Sequence, residues 1–231
     1  MREVPGRMVA TFRAYLEKVP FLKIVSWKKD ARLGEFMPDL VIEVSLATTE
    51  QVIITAIRSS GQPRIAREAV NQLYRYREES PGMYGVFMAP YISSQAAAIC
   101  EKAGIGYSDL AGNCRLVFGQ VYIGRRDWPN PSIVKRELRS LFTPMASRIL
   151  SVLLADPKRS WKVLELAKEA RVSLGQASNV KKLLEDREWV ERSTKGVRLS
   201  QPDMLRAAWA SANSFDKHHA SRNGSCNLTD T

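Results

Sequence analysis

The spacing of apolar positions changes several times in the first half of the chain, which predicts an alternation of helices and strands. Met8, Phe12, Tyr15 and Leu16 recur at helical spacing and predict a first helix over residues 8–18. Helical spacing also predicts helices over 65–79 and 93–103. Short apolar runs and enrichment in β-branched residues predict strands over 21–27, 39–44, 51–58, 82–90, 105–110, 115–118 and 121–123. This order predicts an α/β fold with a mixed sheet.

The segment Trp128–Pro131 contains two prolines and is predicted to end the first domain. Beyond it, the apolar pattern predicts three helices, a hairpin and a further helix, over 147–155, 161–170, 174–186, 190–199 and 203–211. Residues 213–231 contain few apolar side chains and are predicted to be disordered. We therefore expect an α/β domain over 1–131, a smaller domain over 132–212 and a disordered tail.

Composition places the chain among ordinary globular proteins. It has 231 residues, of which 45% are apolar and 26% charged. No apolar run is long enough to span a membrane, and the N-terminus lacks the apolar core of a signal peptide, so we expect a cytoplasmic protein without a membrane partner. The three cysteines have no C-x-x-C spacing, which supports neither a disulfide framework nor a zinc site.

The formal net charge of +11 favours a polyanionic partner, because cationic side chains release counterions when they neutralise phosphates. Residues 132–231 carry 18 Lys and Arg against 11 Asp and Glu, so more than half of the excess lies in the predicted second domain. The charge alone does not distinguish a nucleic-acid-binding protein from a soluble basic one.

Two strands of the first domain are predicted to bring Asp39 close to Arg58. They form an antiparallel hairpin, in which the start of the first strand lies beside the end of the second. Pro38-Asp39, followed by the triplet Ala56-Ile57-Arg58, resembles the P-D-x(n)-(D/E)-x-K signature of the restriction-endonuclease-like superfamily. The resemblance covers roughly residues 8–125 and implies a nuclease-like fold with its active site at this end of the sheet.

The chain departs from that signature at two positions. The resemblance implies that the Asp and the second acid hold Mg²⁺ and that the Lys orients the attacking water. Here Ala56 has no oxygen to offer a hard cation, and Arg58 is always protonated and cannot exchange a proton with water. We therefore expect the protein to have no cofactor. If the site is active, we expect Mg²⁺ with a migrated acid, for which Glu68 and Glu43 are the candidates. The metal ligands would then be Asp39 and Glu43.

The helix after the triplet carries Gln72 and Tyr76, which match the Q-x-x-x-Y pattern of the exonuclease-like branch of the superfamily. The resemblance implies that these two residues face the substrate near the active site. One helical turn separates them, so both side chains can point the same way. A packed Tyr and a surface Gln would give the same short pattern.

The second domain resembles the winged helix-turn-helix module of bacterial transcription regulators, on the spacing A-x-x-A-x-V-S from Ala167 and the hairpin around Lys195-Gly196. The resemblance implies that the helix starting after Ser173 enters the major groove of double-stranded DNA. Amides on its exposed face can contact base edges, and cations there and on the hairpin can contact phosphates. The predicted DNA-binding residues are Gln176, Ser178, Asn179, Lys182, Lys195 and Arg198.

Three functions are compatible with these patterns. The first is a DNA-binding protein, monomeric or homodimeric, in which a nuclease fold without chemistry accompanies a winged helix. The second is an active Mg²⁺-dependent endonuclease or exonuclease with a migrated ligand. The third is a regulator whose first domain senses a ligand or a partner. Cleavage assays with Mg²⁺ and Mn²⁺ separate the second function from the other two.

Overall fold

The computed structural model describes residues 3–30, 32, 34, 36–46, 49–125 and 141–220, with the side chains of 213–220 excluded. The chain divides into two compact units, Met1–Ile133 and Val134–Thr231. The predicted domain boundary at 131 and the predicted tail beyond 220 lie outside the described residues.

The first unit is a mixed α/β structure, as the apolar pattern predicts. Its elements in chain order are α1 (Glu3–Glu17), β1 (Leu22–Lys29), β2 (Leu40–Leu46), β3 (Thr49–Ile57), α2 (Pro63–Glu79), β4 (Tyr84–Ala89), α3 (Ser94–Lys102), β5 (Gly106–Asp109), β6 (Cys114–Phe118) and β7 (Val121–Arg125). Ser93 accepts a hydrogen bond from the backbone N–H of Ala96 and so caps α3, as expected for a serine at this position.

The seven strands described in the first unit form one sheet, and their spatial order is their order along the chain, β1 to β7. The pairs β3–β4 and β4–β5 are parallel, whereas the other neighbours are antiparallel. Each parallel pair is joined by a helix, α2 or α3, as parallel strands require a long crossover. Therefore β3, β4 and β5 present their carboxyl ends at the same edge of the sheet.

The sheet is covered on both faces, which explains why every residue of β4 is buried. Residues of α1, including Phe12 and Leu16, pack with Val86 and Met88 on one face. Residues of α2 and α3, including Leu73, pack with Phe87 on the other. Ala56 belongs to this second cluster, so it points toward α2.

Within residues 141–220, the second unit consists of α4 (Pro144–Ala155), α5 (Val163–Glu169), α6 (Leu174–Asp186), the hairpin strands β8 (Val190–Ser193) and β9 (Gly196–Leu199), and α7 (Pro202–Ala220). Its core is formed by side chains from α4, α5, α6, the hairpin and α7. Thr143 and Ser173 cap α4 and α6 through hydrogen bonds from Ala146 N–H and Gln176 N–H, both 3.2 Å.

Two predicted boundaries in this unit are wrong. Trp161 does not begin a helix but forms an antiparallel bridge with Val197, through N–H···O bonds of 2.8 and 2.9 Å. The helix predicted to end at Ser211 continues to Ala220, so residues 213–220 are helical rather than part of a disordered tail. Neither Gly nor Pro interrupts that stretch, and these are the residues that most oppose helix propagation.

The bridge at Trp161 requires glycine at position 196. Gly196 has a φ of +133°, and a Cβ on it would lie 2.3 Å from the backbone oxygen of Trp161. Both the backbone conformation and the close approach exclude a side chain. The hairpin is therefore fixed to the segment before α5 by this backbone bridge, together with a hydrogen bond of 3.2 Å from Ser193 Oγ to Ser160 Oγ.

No helix among the described residues is both long and apolar enough to cross a bilayer.

Candidate functional site

Asp39 lies directly before β2, at the edge of the sheet where β3 ends. The backbone pairing places Leu40 opposite Thr55, and Asp39 N–H donates to Thr55 O at 3.2 Å. Its carboxylate Oδ2 accepts two hydrogen bonds, from Ile57 N–H at 2.7 Å and from Arg58 Nη1 at 3.0 Å. The hairpin thus brings Asp39 and Arg58 together, and Asp39 binds the end of β3 directly.

The guanidinium of Arg58 is held by several acceptors. In addition to Asp39, Nη1 donates to Ile57 O at 2.8 Å, and Nη2 donates to Oε1 of Gln72. The Arg58 backbone N–H donates to Met88 O at 2.8 Å, which fixes the residue to the end of β4. The side chain is 30% exposed, so solvent still reaches it.

Gln72 and Tyr76 extend this hydrogen-bonded chain along one face of α2. Gln72 Nε2 donates to the hydroxyl of Tyr76, one helical turn away. Tyr76 is buried, and its ring packs against Phe36 with the centroids 4.6 Å apart. Four predicted site residues, Asp39, Arg58, Gln72 and Tyr76, therefore form one continuous network.

The network does not fit a divalent cation of the kind that the sequence resemblance implies. Mg²⁺ prefers oxygen ligands in octahedral geometry, and it is held in proteins by carboxylates. At the position of the second acid, Ala56 is fully buried and contributes only a methyl group. Asp39 has its Oδ2 occupied by two donors, and among the described residues no group of three or more His, Cys, Asp or Glu side chains is placed to hold a metal.

The two acids considered as migrated ligands are each paired with a cation outside the network. Glu43 is four strand residues from Asp39, which corresponds to roughly 13 Å along a strand, and its Oε1 lies 3.8 Å from Lys28 Nζ. A bulge in β1 between Ile24 and Ser26 brings Lys28 to this face. Glu68 pairs with Arg64 at 3.5 Å and is 59% exposed, one turn of α2 before Gln72.

Asp109 is a buried carboxylate at the same edge of the sheet, and the sequence reasoning did not identify it. It ends β5 and accepts hydrogen bonds from the N–H groups of Ile92, Ala111 and Asn113, at 2.8–3.1 Å, and from the Asn113 side chain at 2.8 Å. Burial raises the pKa of Asp109, and these donors oppose the rise. Since its oxygens are occupied by donors, Asp109 connects two loops instead of contributing a metal ligand.

In the second unit, the predicted DNA-contacting residues lie on the outward face of α6 and on the β8–β9 hairpin. Ser178, Asn179 and Lys182 are exposed and Gln176 is partly exposed, whereas Ala177, Val180 and Leu184 are buried. A single helix face therefore carries two amides, a hydroxyl and a cation. Lys195 is exposed at the tip of the hairpin, where its backbone N–H donates to Ser193 Oγ at 3.3 Å.

Arg198 differs from Lys195 in having an acidic partner. It faces Glu191 across the hairpin, and its Nε donates to Glu191 Oε1 at 2.8 Å. Both side chains are about half exposed, so this pair is a surface ion pair of the kind that contributes little stability. Arg198 would have to exchange Glu191 for a phosphate in order to contact DNA.

Three further cations near the hairpin were missed by the sequence reasoning, because two of them lie in the connection before the helix predicted over 161–170 and the third was assigned to that helix without a surface role. Lys158, Arg159 and Lys162 are exposed and flank Trp161, which the bridge with Val197 fixes beside the hairpin. The Arg159 guanidinium lies 3.7 Å from the centroid of the Trp161 ring, a cation–π contact that orients it. The hairpin side of this unit is thus more basic than predicted.

An ion cluster connects α6 to the hairpin. Glu185 is buried and accepts from Arg192 Nε at 2.8 Å and Nη2 at 3.2 Å, and Lys181 Nζ lies 3.2 Å from its Oε1. Burial of Glu185 acts to raise its pKa, but the bonds from Arg192 and Lys181 prevail and lower it. The cluster holds the face of α6 and the hairpin in one arrangement.

Comparison with known proteins gives only partial likenesses. No protein-family profile matches the chain, and no curated protein matches it. Three solved structures align with parts of it. EndoMS in complex with double-stranded DNA is 16% identical over 44% of this chain and 43% of that one, with a TM-score of 0.33, and EndoMS in its apo form is 16% identical over 45% of each chain, with a TM-score of 0.31. A repair endonuclease from Pyrococcus abyssi is 17% identical over 46% of each chain, with a TM-score of 0.34. The chain therefore spans less than half the length of these proteins, and TM-scores below 0.5 establish neither its fold family nor its activity.

Proposed function

We propose that the protein is a cytoplasmic DNA-binding protein that binds duplex DNA through its second unit and does not cleave it. In this proposal, residues 144–199 form a winged helix, and the first unit has a restriction-endonuclease-like fold that retains its Asp but not its metal chemistry. The observation that carries the DNA-binding part is the shared placement of amides and cations on one face of α6 beside a basic hairpin.

The order of elements in the second unit supports this assignment. Among the described residues from 141 onward, three helices precede a two-stranded hairpin, and a short bridging segment at Trp161 lies between α4 and α5 and pairs with the hairpin. In a helix-turn-helix module, the last of the paired helices lies in the major groove and its exposed side chains contact base edges. Gln176 and Asn179 supply amides for that contact, and Lys182 and Lys195 supply cations for phosphates.

The state of Asp39 supports the absence of cleavage. A metal-dependent cut of a phosphodiester needs ligands that hold the ion and a group that orients the nucleophile. In this chain, the Arg58 guanidinium binds the carboxylate where a cation would be expected, and Ala56 replaces the second ligand. A planar guanidinium also suits phosphate, so Arg58 is available to contact DNA if it exchanges Asp39 for a backbone oxygen.

Duplex binding in EDTA, followed by fluorescence anisotropy at several salt concentrations, tests the proposal. Each phosphate contact contributes about −0.9 to the slope of log affinity against log salt, so affinity should fall steeply between about 50 and 200 mM salt. The same duplex incubated with Mg²⁺ or Mn²⁺ should remain intact. An affinity that does not respond to salt would exclude phosphate-based binding.

One observation favours the second candidate, an active nuclease. Glu68 precedes Gln72 by one turn of α2, and residues four apart lie on the same face of a helix, so a carboxylate is close to the network in sequence and orientation. Strand scission by the unmodified protein that is lost in both Asp39→Ala and Glu68→Ala would establish this alternative. The double variant Ala56→Glu, Arg58→Lys restores the residue types of the superfamily signature and is the matched gain-of-function test.

A further inference from the structure

A concave site of about 410 Å³ lies in the first unit, away from the end of the sheet that holds Asp39. One wall is the turn between α1 and β1, from Lys18 to Phe21, and the other is the β6–β7 turn with β7, from Gln120 to Arg125. None of the functions considered so far uses this site. Its lining combines aromatic rings with cations.

Two of the three aromatic side chains that line the site are exposed, whereas Tyr15 is buried. Tyr122 is 73% exposed and Phe21 is 44% exposed, and both line the same cavity. The orientation of Tyr122 is set by its neighbour on the strand: a Cβ at Gly124 would lie 2.8 Å from the Tyr122 hydroxyl oxygen and 3.1 Å from ring carbons. The tip of the ring therefore lies over Gly124, and with 73% of the side chain exposed most of the ring is accessible to solvent.

The charge of the site has one sign. Lys18 and Arg125 are exposed and line the cavity, and none of the described residues that line it is acidic. The Arg125 guanidinium lies 5.7 Å from the centroid of the Tyr15 ring, so its position is supported from within the wall. An anionic ligand with a flat apolar part is complementary to this arrangement.

We propose that this cavity binds an unpaired nucleotide of a single-stranded nucleic acid, with the base stacked on Tyr122 and the flanking phosphates held by Lys18 and Arg125. Aromatic platforms beside cations are the general means by which proteins bind single strands without sequence preference. The net charge of +11 favours a strand over a free nucleotide, because a strand offers several phosphates to the protein at once. The proposal is independent of duplex binding by the second unit and of the network around Asp39.

The test compares two single strands that differ only in their bases. The full-length protein is titrated into a fluorescein-labelled thymidine strand of about ten nucleotides, within the roughly 4–16 nucleotides of known binding sites, and into an abasic strand of the same length. Both strands carry the same phosphates, so any binding elsewhere on the basic surface contributes equally to the two. The difference in affinity isolates the contribution of the bases.

The wild-type protein should bind the base-bearing strand more tightly than the abasic one, and Tyr122→Ala should weaken only the former. The expected loss is roughly 5- to 150-fold, the range measured for removal of one base-stacking aromatic. Tyr122→Phe should retain the wild-type affinity. Lys18→Gln and Arg125→Gln should weaken both strands alike, because they remove phosphate contacts.

Tyr74→Ala is the matched control, since Tyr74 is a partly exposed tyrosine on α2 that does not line the cavity, and it should leave the affinity unchanged. Three results would overturn the proposal: equal wild-type affinity for the two strands, no effect of Tyr122→Ala on the base-bearing strand, or an equal loss on both strands. Competition by a free nucleoside monophosphate at matched nucleotide concentration should be weak. Equally effective competition would assign the cavity to a small nucleotide instead of a strand.

Discussion

Replacement of Arg58 by alanine should destabilise the first unit and release the carboxylate of Asp39. The guanidinium makes three side-chain hydrogen bonds, to Asp39, to Ile57 O and to Gln72, and all three are lost in the variant. Asp39 would keep only the bond from Ile57 N–H. The variant therefore measures how much the Arg58 side chain contributes to the stability of this network.

The magnitude follows from the exposure of the partners. A hydrogen bond to a charged group contributes about 1.5–3 kcal/mol when buried, whereas an exposed ion pair contributes about 0.2–1 kcal/mol. The Arg58 and Asp39 side chains are 30% and 38% exposed, so solvent screens the pair and about 1 kcal/mol is the appropriate coupling. With the lost bonds to Ile57 O and Gln72, we expect a total destabilisation of about 2 kcal/mol.

The assay is a double-mutant cycle with Arg58→Ala, Asp39→Ala and the double variant. Because the protein has two compact units, global unfolding curves are supplemented by hydrogen exchange of the β3 amides, which report on the first unit alone. Arg13→Ala is the surface control: its partner Glu17 is one turn away, both side chains are 54% exposed, and its guanidinium also lies 5.7 Å from the centroid of the Trp27 ring. The expected loss is about 0.3–0.5 kcal/mol for the ion pair and at most about 1 kcal/mol more for the cation–π contact.

Two results would show that Asp39 and Arg58 are not bound to each other in solution. One is an Arg58→Ala variant that is no more destabilised than Arg13→Ala, and the other is a cycle in which Asp39→Ala and Arg58→Ala show no coupling. The Asp39 carboxylate would then be available to a cation, and Asp39 would again be a candidate metal ligand.

Three other predictions concern the second unit. Lys195→Ala should make the slope of log duplex affinity against log salt shallower by about 1. Arg198→Ala should change the slope by less, because Arg198 is already paired with Glu191. Slopes equal to that of the wild type would exclude both residues as phosphate contacts. Asn179→Ala should reduce the difference in binding free energy between specific and non-specific duplexes by about 1–3 kcal/mol, measured by competition, and uniform weakening on all duplexes would assign it to phosphate. Hydrogen bonds from Arg192 and Lys181 lower the folded-state pKa of Glu185 below its ordinary value of 4.5, so the ionised carboxylate stabilises the fold above that pH. Glu185→Gln should therefore be less stable than the wild type at neutral pH, and the difference in unfolding free energy should vanish as the pH falls below 4.5. A pH-independent difference in urea unfolding would contradict this prediction.

The pairing of Asp39 with Arg58 and that of Gln72 with Tyr76 follow from the sequence because each depends on a regular geometry. An antiparallel hairpin with a short connection brings its open ends together, and residues four apart on a helix share a face. The mixed α/β class was predictable for a similar reason, since the change between helical and strand periodicity is visible in the apolar pattern.

The partners of these side chains were not predictable, because they depend on contacts between distant segments. Glu43 shares a strand face with Asp39, yet Lys28 binds it, and this pairing depends on a bulge in β1 that no local pattern signals. Trp161 continues the apolar pattern of the helix that follows it, but its backbone pairs with Val197. This pairing depends on the hairpin, which lies 36 positions later in the chain. Arg58 binds Asp39 and Gln72 through rotamers that periodicity does not determine.

The order of the strands has a consequence for how the first unit is made. Each strand from β2 onward pairs with the strand that precedes it in the chain, so every new strand adds to the single free edge left by the one before. No strand has to enter between two that are already paired, and the polypeptide closes only short loops or one helical crossover at each step. The sheet can therefore grow in the direction of synthesis, while the ribosome is still adding the residues of the second unit.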